Sequence, residues 1–225
     1  MTVGLFFLRA SFCSRGWSAV VITSHMKQTI VSLDLEGVLV PEIWIAVAEK
    51  TGIEALRHTT RDEPDYDLLM RSRLDIMREN NIKLSDIQDV IASLSPLEGA
   101  KGFLDDLRAQ TQVVILSDTF VQFANPLMRQ LDWPVIFCNH LEVSDDVVVN
   151  YHLRQLDQKR QSVVAFKSLN FEVIAAGDSY NDTNMLTEAN HGILFRAPEN
   201  IQSEFSQFPA VTEFNELIRL IEDRL

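Results

Sequence analysis

The first sustained apolar run, Thr29-Ile30-Val31-Ser32-Leu33, is rich in β-branched residues, as in a buried strand. Short runs of the same kind recur at Gln112–Leu116, Val135–Phe137, Val173–Ala176 and Gly192–Phe195. Between them the apolar positions change to helical spacing. Ile43, Trp44, Val47 and Ala48 predict a helix that stops at Gly52. Leu68, Leu69, Leu74, Ile76 and Met77 predict another over Tyr66–Asn80. Ser85, ahead of Asp86-Ile87-Gln88, is the expected N-cap of a helix carrying Val90, Ile91 and Leu94. Further helices are expected over Gly99–Gln110, through Pro126-Leu127-Met128, over Ser162–Lys167, near Met185-Leu186 and over Glu213–Arg224. Leu141-Glu142-Val143 and Val147-Val148-Val149, around Ser144-Asp145-Asp146, predict a hairpin.

Alternating strands and helices predict an α/β fold: a mostly parallel sheet with right-handed crossovers. The helices of residues 42–96 interrupt that rhythm, so the expected organisation is a core of residues 28–41 and 97–225 with a small helical insertion after the first strand. Residues 1–27 stand apart. They carry Arg9, Arg15 and Lys27 but no acid, and Arg9 breaks the apolar run Gly4–Leu8. That stretch is too short and interrupted to span a membrane. It is expected to be a disordered leader, or sequence upstream of a true start at Met26.

Composition narrows the partners. The 225 residues are 46% hydrophobic and 23% charged, ordinary for a globular chain. A net charge of −12 argues against nucleic-acid binding. Cys13 and Cys138 lie too far apart to suggest a disulfide framework or zinc spacing, so reduced thiols in the cytoplasm are expected.

Ligands of open α/β sheets bind beyond the carboxyl ends of the strands. Three such ends carry chemistry: Asp34 and Glu36 before Gly37, Ser117-Asp118, and Gly177-Asp178-Ser179-Tyr180-Asn181-Asp182. Asp34 and Glu36, at the carboxyl end of a buried strand, are two positions apart and so are expected to point the same way. Clustered carboxylates repel one another unless a cation compensates them, and hard oxygen donors suit Mg²⁺. Ser117 and nearby backbone amides suit phosphate oxygens. Lys159 could add positive charge, with Arg160 and Lys167 as alternatives. A carboxylate nucleophile, a metal, phosphate donors and a second acid together make a phosphoryl-transfer site.

These motifs resemble the haloacid dehalogenase superfamily. Asp34-Leu35-Glu36-Gly37-Val38 is similar to its first motif, Ser117 to its second, Lys159 to its third and Gly177-Asp178-x-x-Asn181-Asp182 to its fourth. The resemblance is closest to phosphoserine phosphatases of the ThrH type, which can also pass the phosphoryl group to homoserine. It implies a Rossmann-like core with a helical cap at residues 42–96, a Mg²⁺ cofactor, phosphoserine as substrate and a homodimer. It also implies roles. Asp34 is the nucleophile and Glu36 the general acid/base. Asp34, Asp178 and the Glu36 backbone carbonyl hold the metal, with Asp182 supporting. Ser117, Asp118, Lys159 and Asn181 hold the phosphoryl group. Arg73 takes the substrate carboxylate and Glu42 its ammonium, with Tyr66 packing over it. Two alternatives stay open: another small phosphate ester as substrate, and a non-enzymatic binding protein of the same fold.

Overall fold

A computed structural model describes residues 27–59, 62–63 and 65–225. The expected leader thus lies almost wholly outside the described residues. The strands are β1 (Thr29–Leu33), β2 (Gln112–Phe120), β3 (Val135–Ser144), β4 (Val147–His152), β5 (Glu172–Gly177), β6 (His191–Phe195) and β7 (Ala210–Val211). They form a seven-stranded sheet in the order β4-β3-β2-β1-β5-β6-β7. Every neighbouring pair is parallel except β3 with β4. The chain moves outward from β1 to β2 and β3, then returns to the other side of β1 with β5. The carboxyl ends of β1, β2 and β5 therefore flank the point where strand order reverses, the expected place for a ligand.

The strands alternate between two apolar clusters. Val31, Leu33, Ile115, Ile174 and Ala176 face one side with Leu104, Leu127 and Leu217. Ile30, Val114, Leu116, Val173 and Ala175 face the other with Val163, Phe166 and Met185. Burial on both faces explains why these strands read as continuous apolar runs. The helices covering the sheet are α4 (Ala100–Arg108), α5 (Val121–Gln130), α6 (Gln158–Ser168), α7 (Thr183–Glu188), α8 (Glu199–Glu204) and α9 (Phe214–Glu222).

Between β1 and α4 come α1 (Ile43–Thr51), a 3₁₀ turn at Glu54–Arg57, α2 (Tyr66–Glu79) and α3 (Leu84–Ser93). Gly52 ends α1 in the left-handed conformation, and Asp65 caps α2 by accepting from the amides of Asp67 and Leu68. Ile43, Val47, Leu56, Met70, Met77 and Ile87 join the first of the two apolar clusters, so the insertion shares the core of the sheet.

Several sequence expectations need correction. Ser85 is not the N-cap of α3; Lys83 is, its amide donating 2.9 Å to the Asp86 carboxylate. Ser85 instead donates its amide and hydroxyl to Asp146 in the β3–β4 turn, at 3.1 and 2.6 Å. A residue distant in sequence thus satisfies the helix end, which local pattern does not reveal. The strand at Val135–Phe137 and the first hairpin strand are one element, β3, parallel to β2 along its first half and antiparallel to β4 along its second. Asp145 and Asp146, at φ 50° and 66°, make the tight turn between β3 and β4. Strand β2 runs on to Phe120, with a register shift against β3 after Leu116. Helix α6 begins at Gln158, so Lys159 lies in its first turn. The short elements α8 and β7 have no counterpart among the sequence expectations.

Candidate active site

The polypeptide leaves β1 at Leu33 and folds at once into a tight loop. The amides of Leu39 and Val40 both donate to the Leu35 carbonyl, at 2.8 and 3.0 Å, and the Gly37 amide donates to Val40 at 2.8 Å. Asp34 and Glu36 line the same cavity, but this loop and not a strand pleat brings them there. Gly37 sits at φ +77°, and a Cβ added to it would lie 2.5 Å from the Asp178 Oδ2. Only glycine allows the β1 loop and the β5 loop to approach this closely.

A cavity of about 90 Å³ opens over the three strand ends. Asp34, Glu36, Glu42, Tyr66, Arg73, Ser117, Asp118, Lys159, Asp178 and Asn181 all line it. Asp182 lies directly behind, fully buried, its Oδ2 accepting from the amides of Asp178 and Ser179 at 3.0 and 3.1 Å. The structure thus brings together every side chain that the motifs singled out. Trp44, Thr119 and Ser179 also line the cavity. The spacing of Trp44 places it on the helical apolar face, and nothing in that spacing marks a place in the cavity.

Of the three candidate cations, Lys159 is the one that reaches the carboxylates. Its ammonium lies 2.9 Å from Asp34 Oδ1, 2.8 Å from Asp182 Oδ1 and 3.8 Å from Asp118 Oδ2, with its side chain 3% exposed. Arg160 and Lys167 pair with Glu188 away from the cavity, their side chains 41% and 37% exposed. Burial works against the Lys159 charge, but Asp182, Asp34 and Asp118 outweigh it and hold its pKa well above the ordinary lysine value. Asp34 is raised well above the usual carboxylate range, first by burial and then by Asp182, with Lys159 opposing and Asp178 adding to the rise.

Oxygens of Asp34, Asp178 and Asp182 all lie within 4.8 Å of one another, and all three residues are buried. Three hard carboxylate donors, one of them reluctant to ionise beside the others, are a fitting donor set for a small divalent cation. Glu36 is set apart from this group. Its Oε2 accepts the Ile43 amide at 2.9 Å, at the start of α1. Burial, then Glu42, pushes its pKa up to about 7, against the pull of that hydrogen bond and of Arg73 and Lys159. A carboxyl group poised near neutrality can both give and take a proton.

The insertion supplies the opposite wall. Arg73 is 6% exposed, its guanidinium 4.5 Å from the centre of the Trp44 ring. It donates to the His58 carbonyl at 2.7 Å, while its Nε is buried without a hydrogen-bond partner. No carboxylate among the described residues forms an ion pair with it. Burial pulls its pKa down to about 10, which leaves it cationic at neutral pH. Tyr66 donates its hydroxyl to the Asp118 carbonyl at 3.0 Å.

A family model, haloacid dehalogenase-like hydrolase, matches residues 28–190. The chain belongs to this family. It is 66% identical over 191 residues to phosphoserine phosphatase ThrH of Pseudomonas aeruginosa, an alignment covering 84% of this chain and 93% of that one. It is 65% identical over 189 residues to a phosphoserine phosphatase of Pseudomonas syringae pv. tomato, covering 84% and 80%. Among solved structures, a phospho-aspartyl intermediate analogue of phosphoserine phosphatase matches with a TM-score of 0.72 at 19% identity, covering 87% of this chain and 99% of that one. That last likeness speaks for the fold. The resemblance drawn from the motifs holds at the level of the family and of its ThrH-type relatives, and the expected parallel-sheet fold is the one observed. No helix among the described residues is long and apolar enough to cross a membrane.

Proposed function

We propose that this member of the haloacid dehalogenase-like hydrolases removes phosphate from O-phosphoserine through a phosphorylated Asp34, and that it passes the group to water or to homoserine. The observation that carries the substrate assignment is Arg73: a buried guanidinium without a carboxylate partner among the described residues, on the wall of the cavity that holds Asp34. A buried arginine fork calls for an anion, and the α-carboxylate of phosphoserine is one. Glu42, half-buried on the same wall, suits the ammonium group.

In this reading Asp34 attacks phosphorus and the P–O bond to serine breaks. Glu36 gives its proton to the departing serine oxygen. It then takes one from the incoming water or hydroxyl, which attacks phosphorus and frees Asp34. Lys159 and Ser117 hold phosphoryl oxygens. Ser117 Oγ accepts the Thr119 amide at 3.2 Å, and its own proton has no acceptor among the described residues. Asn181 donates to Asp118 Oδ2 at 3.0 Å and so orders the loop after β5. Asp34, Asp178 and the Glu36 carbonyl would hold Mg²⁺, with Asp182 behind them. The metal, when bound, supplies charge neutralisation for the phosphoryl oxygens. Residues 42–96 serve as a cap that limits bulk water, so an alcohol bound beneath it competes for the phosphoryl group. Homoserine carries the same ammonium and carboxylate as serine with one more methylene.

The test is turnover of phosphoserine with Mg²⁺, with and without homoserine, measuring free phosphate and phosphohomoserine beside a panel of other small phosphate esters. Phosphoserine should be strongly preferred, with phosphohomoserine formed at the expense of free phosphate. Equal kcat/KM across the panel would overturn the substrate assignment. Absence of both turnover and acid-labile phosphoprotein would overturn the enzymatic reading.

A further inference from the structure

The carboxyl end of β2 presents a problem in backbone satisfaction. Regular pairing with β3 holds through Leu116 and resumes only at Phe120, so the residues between have lost their regular ladder partners. These are Ser117, Asp118 and Thr119, the segment that faces the phosphoryl group in the proposed reaction. Side chains from three other elements take the place of the missing ladder. Gln158, in the first turn of α6, donates its amide 2.5 Å to the Ser117 carbonyl and 3.2 Å to Asp118 Oδ1. Asn139 of β3 donates 3.0 Å to the Asp118 carbonyl, which also accepts Tyr66 from α2.

The supports are themselves held. Gln158 Oε1 accepts Arg154 Nη2 at 2.8 Å, and the same Nη2 donates to Ser162 at 2.9 Å. The Arg154 guanidinium lies 5.0 Å from the centre of the Phe137 ring. Asn139 Oδ1 accepts the Arg154 amide at 3.0 Å. Gln158 and Asn139 are 3% and 1% exposed, and both ends of each amide group are engaged. A buried network this fully satisfied fixes one geometry. Neither residue lines the cavity over Asp34.

We infer that Gln158 and Asn139 are positioning residues for phosphoryl transfer, aiming the Ser117 hydroxyl at the phosphoryl oxygens. Gln158 also precedes Lys159, so one turn of helix α6 sets both the strand end and the ammonium. This inference rests on the phosphatase reading, but it assigns a role to residues outside the cavity.

The experiment uses the full-length protein with Mg²⁺ and three variants: Gln158→Met, which keeps length and loses the donor; Gln158→Glu, which cannot donate to the Ser117 carbonyl when ionised; and Asn139→Ala. Each variant is measured for kcat, for inhibition by inorganic phosphate and by serine, and for thermal melting. The expected result is a roughly 10- to 100-fold fall in kcat. Inhibition by phosphate should weaken about as much, and inhibition by serine should stay within about twofold. A purely structural role would lower the melting temperature with kcat per folded enzyme and both inhibition constants unchanged, and that result would overturn the inference. Equal weakening of phosphate and serine binding would overturn it too. If Asn139→Ala does not fold, the two Gln158 variants decide the matter. If the wild-type protein turns over no phosphate ester, the failure belongs to the phosphatase reading; phosphate affinity, followed by calorimetry, still reports on the positioning role.

Discussion

Tyr66 reaches across 3.0 Å to the carbonyl of Asp118, a residue 52 positions further along the chain. This bond joins the helical insertion to the strand end that lines the cavity over Asp34. Its loss leaves the Asp118 carbonyl with Asn139. A neutral hydrogen bond of this kind contributes about 1 kcal/mol, equivalent to roughly fivefold in a binding constant. Tyr66→Phe should therefore raise KM for phosphoserine about fivefold and change kcat less than about twofold. Steady-state kinetics on the purified variant would show it.

Lys159 and its neighbours make a contrast in burial. Lys159→Met strands Asp34 and Asp182 in the interior without their shared cation. Breaking a buried pair in this way costs about 3–5 kcal/mol. Denaturant unfolding of the metal-free protein should register that loss, and phosphatase activity should vanish. Arg160→Met and Lys167→Met remove exposed partners of Glu188 and should each change stability by about 1 kcal/mol or less.

In the proposed reaction, Arg73 serves recognition of the substrate and not the chemistry. Arg73→Met keeps an apolar stem beside Trp44 but removes the guanidinium. Charge-assisted hydrogen bonds are worth about 1.5–3 kcal/mol, so kcat/KM for phosphoserine should fall roughly 10- to 100-fold. Phosphoethanolamine carries the ammonium but no carboxylate, and its kcat/KM should change less than about threefold. A parallel loss with both esters would remove the carboxylate assignment.

Cys138 provides a pH-dependent observable away from the cavity. Burial pushes its thiol up to about 11 from an ordinary value of 9.0, with Arg154 pulling the other way. The folded state thus disfavours the thiolate. At pH 8 the folded chain should hold about a hundredfold less thiolate at this position than the unfolded chain. Alkylation of the Cys138 peptide, followed by mass spectrometry, should be slower by that factor until denaturant is added. The sign for stability follows: the contribution is complete below pH 9 and is lost as pH rises toward about 11. Cys138→Ala should flatten that decline.

The chain order of apolar runs and helical spacings already determines a parallel α/β sheet with an insertion after its first strand, because burial on both faces of a central strand leaves a continuous apolar run. It likewise marks Asp34, Glu36, Ser117, Asp178 and Asp182, since charged and hydroxyl groups directly after such runs must lie at the carboxyl pole of the sheet. Which of three cations joins them is not local information. Lys159, Arg160 and Lys167 are chemically alike in sequence, and only the start of α6 at Gln158 turns the first inward and leaves the others at Glu188. The same holds for Ser85, displaced as a cap by Asp146, and for Gln158 and Asn139, which look like ordinary polar residues until the break in β2 pairing gives them unpaired carbonyls to satisfy. A strand or helix is chosen by the periodicity of its own residues. A polar side chain finds its partner only when distant segments meet, and buried hydrogen-bonding groups then accept whatever donor the packing supplies.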